Sequence, residues 1–141
     1  MTYARINLEQ TNYSVIDNAK RNSKPNISQL NEIYTVYCRY KKFKSVMPMF
    51  DSEYTSEDTD VIEYFHEGKL VAFSLLRVYD QDNIEAIQFA WNYDNPELHL
   101  GIKSLRHECA LYKKLGFKYL YLGGADEYKK QIDGFEILGP A

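Results

Sequence analysis

The residues best placed to do chemistry stand at the start of a helix expected over 101–115. Gly101 lets a ligand approach the backbone there, and Lys103 and Arg106 add positive charge. A helix N-terminus offers unpaired N–H groups and a partial positive charge, which suit a phosphate or a carboxylate. The remaining residue types exclude more than they offer. His66, His99 and His107 have no ligand spacing among themselves or with Cys38 and Cys109, so no metal site is expected. Neither G-x-G-x-x-G nor a Walker loop occurs, which removes dinucleotide oxidoreductases and P-loop phosphotransferases. Ser104 lacks the flanking glycines of a nucleophile elbow.

The elements that must position this helix start follow from apolar periodicity and from breakers. Asp94-Asn95-Pro96 reads as a turn before the helix, and Gly116 as its stop. Leu105, Cys109 and Tyr112 form one apolar row along it, and Leu111 with Leu115 an adjacent one. A strand over 84–91 leads in, alternating Ile87, Phe89 and Trp91 against Ala86, Gln88 and Ala90. A strand over 118–122 leads out, with Tyr119 and Tyr121 on one face and Gly123-Gly124 closing it. In open α/β sheets such a unit binds ligands beside the C-terminal ends of its strands.

Upstream, a helix is expected from Asn26 or Ser28 to about Phe43, with Leu30, Ile33, Tyr34, Tyr37 and Cys38 as its buried stripe. A shorter apolar segment over 46–50, interrupted by Pro48, leads into an acidic linker. Strands follow over 60–66 and 70–79, the second apolar on both faces as in a central strand. After Gly124 come a polar, helix-like turn over 125–132 and a last strand over 135–138. Residues 1–25 form a polar segment that is either an edge strand, with a weak candidate at 13–16, or unordered; 26–141 make one domain. Antiparallel hairpins precede one late crossover unit, so the fold class is α+β around a mixed sheet.

Composition sets the outer bounds. A chain of 141 residues with 45% hydrophobic content builds one globular core, and no apolar run could cross a membrane. The first residues lack the apolar centre and cleavage site of a secretory signal, and two isolated cysteines suit a reducing cytoplasm. The net charge of −3 argues against strong non-specific binding to nucleic acid, although Lys103, Arg106, Lys113 and Lys114 give the second helix a basic side. Thirteen tyrosines, against seven phenylalanines and one tryptophan, suit either core edges or a half-wet groove.

The order of elements resembles the GNAT fold of N-acyltransferases, a mostly antiparallel central sheet flanked by helices. In that family the helix after the fourth strand holds the pyrophosphate of an acyl-CoA through a Q/R-x-x-G-x-G/A loop. The corresponding residues here are His99, Leu100, Gly101, Ile102, Lys103 and Ser104, with one glycine of the pattern present. The resemblance thus implies a donor site built from His99, Gly101, Ile102, Lys103, Ser104 and Arg106.

A closer resemblance is to the C-terminal domain of arginyl-tRNA–protein transferases, which move an amino acid from tRNA to a protein N-terminus. Their run Y-D-P-x-L-x-L-G-x-x-S-x-x-x-E matches Tyr93, Asp94, Pro96, Leu98, Leu100, Gly101, Ser104 and Glu108, with Asn95 inserted. Their Y-x-Y-L-G matches Tyr119 to Gly123, and Y-K-x-x-F-x-P-x-E-x-L matches 128–138 with Ile132 for Phe and Gly134 for Pro. The family's cysteine-rich N-terminal domain has no counterpart in this sequence.

The resemblance implies transfer of an acyl or aminoacyl group, from acyl-CoA or aminoacyl-tRNA, to an amine on a protein or small molecule. Such a reaction needs deprotonation of the amine and donors for the developing oxyanion. If the strands over 84–91 and 118–122 splay as in GNAT proteins, Gln88, Tyr119 and Tyr121 line the gap, and Tyr128 serves as acid toward the leaving group. Gln88, Tyr121 and Tyr128 are therefore the catalytic candidates. The alternative is an inactive GNAT-like interaction module, binding a partner or forming a homodimer through its Tyr-rich faces.

Overall fold

The computed structural model describes residues 2–41, 54–92, 98–122 and 127–140. Its elements are β1 (Thr2–Asn7), β2 (Ala19–Arg21), α1 (Ile27–Tyr40), β3 (Thr59–His66), β4 (Lys69–Val78), β5 (Asn83–Trp91), α2 (Leu100–Lys114), β6 (Tyr119–Leu122) and β7 (Phe135–Pro140). Short 3-10 turns cover Leu8–Gln10 and Glu127–Gln131. The strands form one sheet in the order β2-β3-β4-β5-β6-β1-β7. Every neighbouring pair is antiparallel except β5 with β6, which are parallel because α2 carries the chain back across the sheet.

Each helix covers one face. Leu105, Cys109 and Tyr112 of α2 join a core with Ala4, Ile6, Ile62, Tyr64, Ala72, Leu76, Ile84, Leu120 and Leu122. On the opposite face Leu30 and Ile33 of α1 pack on Val61, Phe73, Leu75 and Ala90, with Ile87 against them. Strand β4 contributes to both cores, which is why its sequence is apolar on both sides. Leu115, expected on the buried row of α2, is 49% exposed, since that row runs out one residue past the helix end.

The helix ends follow their local sequences. The Asn26 side chain accepts from the Gln29 N–H at 3.2 Å, capping α1. At the other end of the α2 region, Gly116 adopts φ +98°, its N–H bonds the Lys113 carbonyl at 3.1 Å, and the Phe117 N–H bonds the Tyr112 carbonyl at 3.0 Å. That is a Schellman stop, and its hydrophobic partner contact is the Tyr112–Phe117 ring pair at 5.7 Å. The stop aims the chain directly into β6.

The N-terminal segment departs most from expectation. Residues 13–16 form no strand. Instead β1 lies inside the sheet, paired with β6 and β7, and β2 forms the far edge on β3. Short alternation such as Ala4 and Ile6 between polar residues is a weak signal, and its partners lie more than a hundred residues away in sequence. Gly134 explains how β7 meets β1. It has φ +77°, its carbonyl accepts from the Asn7 N–H at 2.8 Å, and a Cβ there would stand 2.4 Å from the Asn7 carbonyl oxygen. The expected segment at 46–50, the turn at 94–96 and the Gly123-Gly124 pair lie outside the described residues.

Candidate active site

Strands β5 and β6 hold register only from Asn83↔Tyr119 to Ala86↔Leu122. Beyond Ala86, β5 runs on to Trp91, and β6 is described as far as Leu122. The stretch where the two strands are expected to part, beside residues 123–126, lies outside the described residues; a β-bulge in β5 follows directly on the last described pair. Against β4, Leu76 pairs with Ala86 but Leu75 pairs with Gln88, leaving Ile87 as the extra residue. Bulges bend a strand, increase its twist and redirect side chains. The bulge also corrects the simple alternation: Phe89 and Trp91 pack toward α2, whereas Ile87 packs toward α1.

Gln88 lies opposite Leu75, so it shares the α1 side of the sheet. Tyr119 and Tyr121 are also on that side, because Leu120 and Leu122 between and beside them enter the α2 core. The two catalytic candidates Gln88 and Tyr121 thus share a face of the sheet, one on each of the neighbouring strands β5 and β6. The Gln88 amide donates to the neighbouring Phe89 carbonyl at 2.8 Å. The Tyr121 hydroxyl accepts from Arg5 at 3.4 Å; Arg5 also lies 4.0 Å over the Tyr119 ring and pairs with Glu136 at 2.7 Å. Arg5 comes from β1, far in sequence from the run over 93–138 that carries the family motifs, so those motifs do not reach it. Tyr128 falls in the second 3-10 turn, and its side chain lies outside the described residues.

The donor candidates divide. His99 is the N-cap of α2 in a left-handed conformation, φ 49° and ψ 46°, with no side-chain cap. Gly101 and Ile102 follow in the first turn, where N–H groups have no helical partner. Ser104 is buried, and its hydroxyl donates to the Gly101 carbonyl at 3.0 Å, so it stiffens this turn from inside. Lys103 and Arg106 are exposed and line a cavity with the end of β3, on the other side of α2 from β6. They are not grouped with Gln88 and Tyr121.

A polar cluster that the sequence reading missed lies under α2. Glu108 is 4% exposed, and its carboxylate accepts from Tyr64 at 2.5 Å and from Ser74 at 2.7 Å. Tyr64 also reaches the Ser104 carbonyl at 3.3 Å. Burial pushes the Glu108 carboxyl up to about 7, against the pull of the two hydroxyl donors. Burial, with the adjacent Glu108, raises the Tyr64 phenol as well. Next to it, the His107 Nδ1 accepts from the Ile16 N–H at 3.0 Å, and burial lowers its basicity. The available signal was a charged residue flanked by the apolar row of Leu105, Cys109 and Tyr112, where a solvated glutamate has no place. The cluster fixes the helix start to the sheet, since Ser104 and Glu108 are one turn apart and share Tyr64.

Among the described residues no three His, Cys, Asp or Glu side chains gather to hold a metal ion. Cys38 and Cys109 are both free and buried. No helix among them is long and apolar enough to cross a membrane.

Residues 28–133 match the family described as arginine-tRNA-protein transferase, C terminus. The chain belongs to that family. The match runs from the first turn of α1 to the turn before β7, and so includes the β5–α2–β6 unit entire. No match was found among curated proteins. Among solved structures, the chain is similar to L-PGS from Bacillus licheniformis, with 16% identity and a TM-score of 0.63 over 88% of this chain and 46% of that one. It is also similar to a GCN5-related N-acetyltransferase from Kribbella flavida, with 10% identity and a TM-score of 0.59 over 99% and 58% of the two chains. A third likeness is to an aminoglycoside acetyltransferase from an uncultured soil metagenomic sample, with 12% identity and a TM-score of 0.60 over 79% of each chain. The chain spans a little under half of the length of the first of these structures. At these identities the likenesses establish the fold, which is GNAT-like, in agreement with the arginine-tRNA-protein transferase match.

Proposed function

We propose that this domain transfers an aminoacyl group from aminoacyl-tRNA to an amine, with acyl-CoA as the competing donor. The family match over residues 28–133 carries the reading, because it spans β5, α2 and β6 whole. The domain acts where charged tRNA is found, in the cytoplasm, on the amine of a protein or small molecule. The single glycine of the loop favours the tRNA donor over acyl-CoA, whose pyrophosphate calls for closer backbone approach.

In this reading the donor's reactive carbonyl sits between β5 and β6, beyond Ala86. The free N–H groups of Gly101 and Ile102 face the donor's anionic part. The Gln88 amide turns from its neighbouring carbonyl to donate to the oxyanion as the amine attacks. Tyr121, held by Arg5, orients the amine; Tyr128 gives its proton to the departing ribose oxygen or thiol and takes in exchange the proton that the attacking amine loses. Losing one such group typically costs a factor of about 10² to 10³ in rate.

The test is transfer of labelled amino acid from charged tRNA, in parallel with acetyl transfer from acetyl-CoA, to peptides with free N-termini and to small amines. Transfer from tRNA is expected, reduced at least a hundredfold in Gln88→Ala. Failure of both donors across the acceptor panel would favour an inactive interaction module and reject the reading.

A further inference from the structure

The Tyr64 hydroxyl stands between two acceptors. It lies 2.5 Å from the Glu108 carboxylate and 3.3 Å from the Ser104 carbonyl, one turn earlier on α2. A tyrosine hydroxyl carries one proton, so it cannot donate to both at once. Tyr64, Ser104 and Glu108 are all buried, and the choice between acceptors is made inside the protein.

Which acceptor Tyr64 serves depends on Glu108. With the carboxyl protonated, the acid donates to the Tyr64 oxygen, and the Tyr64 proton is left for the Ser104 carbonyl. With the carboxylate ionised, a charge-assisted bond from Tyr64 is the stronger one, and the Ser104 carbonyl loses its link to the sheet. Ser74 donates to the same carboxyl oxygen, at 2.7 Å, without touching Ser104. Ser104 holds the first turn of α2, since its hydroxyl donates to the Gly101 carbonyl at 3.0 Å. A bond on the Ser104 carbonyl therefore fixes the helix start against β3.

The groups around the carboxyl hold their own protonation states through the exchange. Burial and the adjacent Glu108 raise the Tyr64 phenol, so it keeps its proton. Burial also raises Cys109 and Tyr112 on the same helix, and Tyr112 donates to Asp60 of β3 at 2.9 Å. The His107 ring lies 5.9 Å from that of Tyr64, and burial lowers it from 6.5, which keeps it neutral above that value. Lys129, from the second 3-10 turn, favours ionised Glu108 through its charge. Burial outweighs it and sets the carboxyl at about 7, so the exchange falls in the neutral range.

We propose that Glu108, Tyr64 and Ser104 form a proton-operated latch, which seats the start of α2 when closed, frees it when open, and makes Glu108 and Tyr64 positioning residues for the transfer site. The effect on transfer rests on the reading above; the latch itself does not.

Nitrogen–proton correlation spectra of the full chain, with its glutamate carboxyl carbons labelled, test the latch between pH 6.5 and 8.5, above the range in which His107 takes up a proton. The Glu108 carboxyl carbon is expected to titrate at about 7, with the amide resonances of Gly101 to Ser104 moving at the same midpoint. Tyr64→Phe cuts the connection but leaves the acid, so Glu108 should still titrate while those amides move less than half as far. Ser74→Ala removes a bond off the path, and the amides should still follow Glu108. Glu108→Gln cannot ionise, and there the amides should stay still. In transfer assays the parent should lose about fivefold in rate relative to Glu108→Gln as pH rises from 6.5 to 8.5, the worth of one neutral hydrogen bond. Amides that stay still in the parent, or that move undiminished in Tyr64→Phe or Glu108→Gln, overturn the latch. If Tyr64→Phe does not fold, the parent and Glu108→Gln decide between them. Equal pH dependence of transfer in these two overturns the positioning role. A latch that titrates in a protein without transfer activity would reject only the transfer reading.

Discussion

At the scale of single residues, Glu108 and His107 are neighbours in sequence with opposite pH terms. In the fold the Glu108 carboxyl keeps its proton up to about pH 7, whereas a solvated glutamate releases it near 4.5. Between those values the folded state holds the extra proton, so stability falls as pH rises through the window. At ~1.4 kcal/mol per unit the loss totals roughly 3 kcal/mol by pH 7 and stays constant above it. His107 is the reverse: burial lowers it from 6.5, so its contribution is complete above 6.5 and is lost as pH falls below. Protonation there also removes the acceptor for the Ile16 N–H. We expect Glu108→Gln, which keeps an acceptor oxygen for Tyr64 and Ser74, to be more stable than the parent at pH 8 by about 1–3 kcal/mol. At pH 4.5 the advantage should vanish. Urea melts at the two values check this, and an unchanged pH slope would show that another group carries it.

At the scale of elements, the bulge in β5 is the feature with most bearing on the site. It places Gln88 on the α1 face and bends β5 just past its last described pair with β6. Deleting Ile87 would join the Leu76↔Ala86 and Leu75↔Gln88 pairs into one regular ladder without shifting either half. The expected result is a protein within ~2 kcal/mol of the parent in stability, since only one half-buried side chain leaves the core. Aminoacyl transfer should fall by at least tenfold, because β5 would no longer bend beside Gln88. Melting and transfer assays on the same preparation separate these outcomes, and full activity in the deletion would remove the bulge from the mechanism. The helices carry a different lesson. Asn26 and Gly116 were readable as caps because capping depends on residues a few positions apart. The bulge was not, because an extra residue is defined only against the partner strand.

At the scale of the whole molecule, the sheet closes through its own N-terminus. Strand β1 stands between β6 and β7, and its Arg5 bonds both Tyr121 and Glu136. Buried Ala4 and Ile6 extend the α2 core across it. Removal of residues 2–7 should therefore leave β6 and β7 without a shared partner and remove two core side chains. We expect no cooperative thermal transition by circular dichroism; a cooperative melt would mean that β7 can pair directly with β6.

The sequence by itself determined the local elements, the late β-α-β crossover, the helix caps and the family, since each rests on residues close in the chain or on short ordered motifs. Gly101 and its turn were legible for that reason, as was the pairing of Tyr119 with Tyr121 on one face. Only the tertiary structure decided the interior place of β1, the bulge at Ile87, the burial of Glu108 between Tyr64 and Ser74, and the separation of Lys103 and Arg106 from Gln88 and Tyr121. These depend on which distant segments meet: strand pairing, burial and the side of a helix that faces a cavity are properties of the packed chain, and no spacing along it encodes them singly.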